Sequence, residues 1–258
     1  MEVVFRTISV LIFLVSPSFC IYKGIPAGKH EFPYQVAILL VNEGPDEPIL
    51  CNGAILNKNW IISTASCLTS HDKENLNAVA GVHYISAWTN HEHRRELTKV
   101  VAHPDFDQEA KPNALYDVAV GQLNEPFVFG EHVKAVSLPE KNTYPSGKSW
   151  VAGWGGTSII YMRPNDLMKA EVRISPKNGC IESAAGPMFC ATHSNTSPIC
   201  KWDDGAPLVQ EHEGNFVLIG VATIPFIPKN TNKCPSSTQS SKFAMVSQLK
   251  DWIEKTIE

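Results

Sequence analysis

Short apolar runs, each closed by proline or polar turn residues, set the strongest limit on what this chain can fold into. Residues 34–41, 54–56, 60–64, 118–120 and 216–221 all read as strands, and the turn signals between them fall at spacings typical of barrels. One helix stands out, at the end. Val246, Leu249, Trp252, Ile253 and Ile257 recur at helical spacing, with Lys250, Asp251, Glu254 and Lys255 on the other face. The apolar face is expected to pack on a barrel.

Residues 1–20 read as a secretory signal. Arg6 precedes the apolar run at 8–15, and Ser18-Phe19-Cys20 supplies small residues for a cut after Cys20. The run is well short of the roughly 20 apolar residues a membrane span needs. A secreted, extracellular product without a membrane partner is the expectation. Of the seven cysteines, Cys20 would leave with the signal, and Cys51, Cys67, Cys180, Cys190, Cys200 and Cys234 would remain. An even set in an oxidising compartment suggests three bridges, but counting alone leaves 15 ways to pair six thiols. No zinc-finger spacing occurs, so neither a metal nor another cofactor is expected. The net charge of −4 argues against nucleic acid or anionic membrane as the main partner.

The order of motifs resembles the chymotrypsin/trypsin family across 21–258. Ile21-Tyr22-Lys23-Gly24 and then Phe32-Pro33-Tyr34-Gln35-Val36 are similar to the family's IVGG and FPWQV blocks. Cys51-Asn52-Gly53-Ala54-Ile55-Leu56 and Thr64-Ala65-Ser66-Cys67 resemble CGGSLI and AAHC. Val101-Ala102-His103-Pro104, Tyr116-Asp117-Val118-Ala119-Val120, Val151-Ala152-Gly153-Trp154-Gly155 and the segment 200–208 follow in family order. The resemblance implies an all-β fold of two antiparallel six-stranded barrels, about 21–138 and 139–258, with the terminal helix packed on the second. It also implies bridges Cys51–Cys67, Cys180–Cys190 and Cys200–Cys234, each contributing on the order of 2–4 kcal/mol.

The chemistry that this family performs needs a serine nucleophile, a histidine base, an orienting aspartate and two backbone N–H groups for the oxyanion. Here the histidine position is Ser66, and a hydroxyl is no base near neutral pH. The block GDSGGP reads Trp202-Asp203-Asp204-Gly205-Ala206-Pro207, placing Asp204 at the nucleophile. Only the aspartate remains, as Asp117, with nothing left to orient. Trp202 replaces an oxyanion-hole glycine and is expected to crowd the site. Asp204 as a carboxylate nucleophile would need a second carboxylate as acid and a sugar site, which this cleft does not offer.

The substrate side is altered too. Pro198 stands at the base of the specificity pocket, Thr223-Ile224-Pro225 replaces the SWG strand, and Ser241 replaces a pocket glycine. Pro225 brings no N–H for pairing with an extended substrate. Asp203 matches the aspartate that receives a new N-terminal ammonium, and a cut after Cys20 would supply one on Ile21. Asn195-Thr196-Ser197 is a glycosylation sequon beside the old pocket. His91-Glu92-His93 reads as a solvated loop and His103 as structural.

The double loss in the triad most resembles the inactivated protease paralogues of parasitic mites. That resemblance implies a secreted, non-catalytic protein that binds a protein partner and interferes with a host cascade such as complement or clotting. The alternative is a residual or repurposed hydrolase.

Overall fold

The computed structural model describes residues 24–41, 49–84, 86, 93–110, 115–155, 165–176, 186–192, 199–200, 202–223 and 240–258. The run at 34–41 forms β2 (Gln35–Leu40), after a two-residue β1 (Ile25–Pro26). Val36, Ile38 and Leu40 point into one apolar cluster, Ala37 and Leu39 into another. Side chains alternate faces along a strand, so a strand buried on both faces becomes a continuous apolar run instead of an alternating one. β3 (Ile49–Ile55), β4 (Trp60–Ser63) and β7 (Ala119–Leu123) are buried in the same way. β5 (Leu76–Ala80) and the largely polar β6 (Arg94–Ala102) complete a closed antiparallel barrel in the order β2-β3-β4-β7-β6-β5.

The second barrel uses β8 (Lys148–Gly153), β9 (Met168–Ile174), β10 (Met188–Thr192), β11 (Pro207–His212), β12 (Asn215–Thr223) and β13 (Ser241–Met245). The sheet runs β1-β9-β10-β13-β12-β11-β8, and β8 pairs back with β9, closing six strands with β1 as an added edge. β1 therefore lies with the second barrel although it precedes the first in the chain, Ile25 standing opposite Lys169. The fold class is the expected one.

Each barrel has its own interior, around Val36, Ile55 and Ile61 in the first and Val151, Phe189 and Phe243 in the second. A third cluster lies between them. Tyr34, Val118, Val120, Trp154 and Leu218 meet there with Leu249 and Ile253 of the terminal helix α2 (Val246–Ile257). The helix thus packs against both halves instead of the second alone, and its Trp252 ring leans on His103 at 4.8 Å. Outward, Lys250 lies near Glu254 and also donates to the Pro139 carbonyl. A one-turn helix α1 (Ala65–Leu68) follows β4, and Cys67 within it is bridged to Cys51 of β3. Cys190 and Cys200 are each disulfide-bonded as well. Cys180 and Cys234, their expected partners, lie outside the described residues.

Candidate active site

The first half of the site comes from the first barrel. Ser66 sits in the turn of α1, and Asp117 lies just ahead of β7, after Tyr116 at φ 56°. The Ser66 N–H donates to Asp117 Oδ1 at 2.7 Å, and its Oγ–H donates to Oδ2 at 2.8 Å. The expectation that Asp117 has nothing to orient is therefore corrected. A serine is short enough to fold back, so both oxygens of a buried carboxylate are held by one residue. The arrangement does not activate the serine: a carboxylate is far too weak a base to take a proton from a hydroxyl. Ser66→Ala should lower stability by about 1–3 kcal/mol, since a buried charged acceptor would lose a donor; chemical denaturation of the two proteins measures it.

The other half is the loop that leads into β11. Trp202 adopts φ 72°, a left-handed conformation, and the residue is half-buried. Asn52 of β3, fully buried, reaches this loop twice: its N–H donates to the Asp204 carbonyl at 2.7 Å and its Nδ2 to the Trp202 carbonyl at 2.8 Å. Gly205, at φ 74°, packs so closely that a Cβ there would lie 2.1 Å from the Asn52 carbonyl oxygen. Only glycine satisfies both constraints.

Between them, the Asp203 carboxylate is fully buried. It accepts from the Gly155 N–H at 2.9 Å and the Cys200 N–H at 3.0 Å. A Cβ on Gly155 would fall 2.2 Å from the carboxylate carbon, so a glycine is required for this approach. Burial pushes the Asp203 carboxyl up to about 7; the two amide donors pull it down, and the neighbouring Asp204 adds to the rise. Among the described residues no cation contributes. Ile21, its expected partner, lies outside them.

Of the pocket positions, Thr223 closes β12 and bonds the Lys242 carbonyl through its hydroxyl at 3.3 Å. Ser241, buried, accepts from the Ile199 N–H at 3.4 Å, tying one expected pocket wall to the residue after Pro198. Pro198, Ile224, Pro225 and Asn195 lie outside the described residues, as do His91 and Glu92. His93 stands edge-on to Phe127, and His103 is stacked on Tyr116 at 4.7 Å. The structure thus brings together Ser66 with Asp117, and Trp202 with Asp203 and Asp204. Sequence reasoning missed Asn52, which joins the two halves. The signal was an asparagine in a position where the resembled block has glycine.

The chain matches the family model described as Trypsin over residues 21–253. It is 27% identical over 250 residues to the venom peptide isomerase heavy chain of Agelenopsis aperta, covering 92% of this chain and all of that one. Human kallikrein-8 is 27% identical over 239 residues, covering 91% of this chain and 85% of the relative. Among solved structures, mouse neuropsin superposes with a TM-score of 0.76 at 22% identity, over 92% of this chain and all of the other.

Proposed function

The chain belongs to the trypsin family of serine proteases, and from that membership we propose that it is a non-catalytic homologue acting by binding a protein partner. The observation that carries this reading is the serine in place of the base, with its proton directed at Asp117. Proton transfer by a positioned base contributes typically 10²–10⁴-fold, and nothing in the Ser66–Asp117 pair supplies it. Asp204 in place of the nucleophile supports the same reading, because its charge opposes a developing oxyanion. Secretion after signal removal at Cys20, and interference with a host cascade such as complement or clotting, complete the proposal. The first rests on the signal-like residues 1–20, and the second on the resemblance to mite paralogues.

A second reading has one observation in its favour. A relative is named as a peptide isomerase, so enzyme chemistry other than hydrolysis is associated with this fold. On that reading Asp117 or Asp204 serves a repurposed reaction. One experiment separates the two. The protein starting at Ile21 is incubated with peptide esters, protein substrates, a peptide followed for isomerisation, and a serine-directed phosphonate. Neither turnover nor labelling is expected. Stoichiometric labelling at any residue, or saturable turnover that Asp117→Asn abolishes, would sink the binding reading.

A further inference from the structure

We infer that Asn52 is a positioning residue for the altered site: it holds Trp202 in its left-handed conformation and thereby sets where the indole stands. This rests on the binding reading of the site and specifies how its surface is built. Asn52 is fully buried, and all of its polar groups are bonded, two of them to the loop at 202–205. Its Nδ2 donates to the Trp202 carbonyl at 2.8 Å, and its N–H to the Asp204 carbonyl at 2.7 Å. Its Oδ1 accepts from Gln35 Nε2 at 3.3 Å and from the Trp154 N–H at 3.4 Å. Its own carbonyl accepts from Ser63 Oγ at 2.6 Å. One side chain therefore ties β2, the end of β8 and the loop at 202–205 to β3.

Trp202 is where such a tie is needed. A bulky residue at positive φ is a true outlier, disfavoured by clashes that glycine escapes. Among the described residues the non-glycine positions at positive φ are His30, Tyr116, Asn142, Trp202 and Glu213, and Trp202 is the one that lies in the loop at 202–205. Its carbonyl is fixed by a donor 150 positions away in sequence. Asn52 thus joins this loop to residues 35, 63 and 154 of the folded barrels.

A double-mutant cycle tests this. Asn52→Gly removes the Nδ2 donor, and Trp202→Gly removes the strain it holds. The loss of the bonds to Gln35, Trp154 and the residue-202 carbonyl, which glycine keeps, is common to both backgrounds and cancels, leaving the strain at position 202. Asn52→Gly is expected to lower the folding equilibrium constant roughly tenfold less beside Trp202, where losing the clamp also lets the strained φ relax, than in the Trp202→Gly background. Emission of Trp202, isolated by difference against Trp202→Phe, should shift toward that of a solvated indole in Asn52→Gly. If Asn52→Gly alone does not fold, Asn52→Ala, which lacks the same donor without glycine's entropic cost, takes its place in the cycle. Additive stabilities with unchanged Trp202 emission would overturn the inference. The phosphonate and turnover assays report on the binding reading separately, because neither depends on Asn52.

Discussion

Rebuilding the triad by Ser66→His together with Asp204→Ser is expected to return no more than a trace of protease activity. The obstacle is not the aspartate. Asp117 is already held beside residue 66 by the backbone N–H at 2.7 Å, a bond that survives the substitution. The obstacle is the loop that must present an oxyanion hole. Its first residue is an indole at φ 72°, with its carbonyl drawn inward onto Asn52. Losing one oxyanion donor typically lowers turnover by about 10²–10³. A substrate that cannot lie down beside the nucleophile also forfeits the effective molarity of a positioned reaction, on the order of 10⁵–10⁸ M. The rebuilt protein should therefore stay at least about a thousandfold below an ordinary family enzyme in kcat/KM for peptide esters. Adding Trp202→Gly should recover part of the deficit. Turnover in the normal range without that third change would show that the loop is harmless and that only the triad had been lost.

How much of this was legible in the sequence differs between fold and site. The strands buried on both faces, such as β2 and β4, are legible directly, because an unbroken apolar run of that length, bounded by turns, is too short for a buried helix. β6, with only Leu97 buried, and β9, with charged residues at alternate positions, carry too little apolar signal to stand out alone. Family order located Ser66, Asp117 and Asp204. It did not disclose that Ser66 folds onto Asp117, since reading a triad as present or absent treats the replacement as a gap. A gap beside a buried carboxylate does not stay empty of donors. Asn52 was visible only as a departure from a glycine. Its role depends on a carbonyl far along the chain, and no local pattern encodes that distance.

The protein that begins at Ile21 and the same protein with one residue added ahead of it are expected to differ in how stability follows pH. Asp203 is fully buried, and with amide N–H groups as its donors among the described residues its carboxyl lies at about 7. An unfolded aspartate titrates near 3.9. Between about pH 4 and 7 the folded chain thus keeps a proton that the unfolded chain gives up, so stability falls as pH rises through that window. The full loss, reached near pH 7, is on the order of 4 kcal/mol. Seating the Ile21 ammonium beside the carboxylate reverses the sign. The carboxyl falls below its unfolded value, and the loss between 4 and 7 disappears. The amine rises above its usual range near 8, so its contribution is full below that and fades as pH climbs through the raised value. At pH 7 the extended protein should accordingly melt roughly 10 °C below the Ile21 form, and the gap should close toward pH 4. Asp203→Asn gives the control. In the Ile21 form it strands a buried ammonium, at about 3–5 kcal/mol; in the extended form it removes a buried charge and should flatten the pH profile. Melting curves from pH 4 to 9 on the four proteins decide it. Parallel profiles for the Ile21 and extended forms, or a secreted product whose sequence starts elsewhere, would leave Asp203 without the amine as its partner.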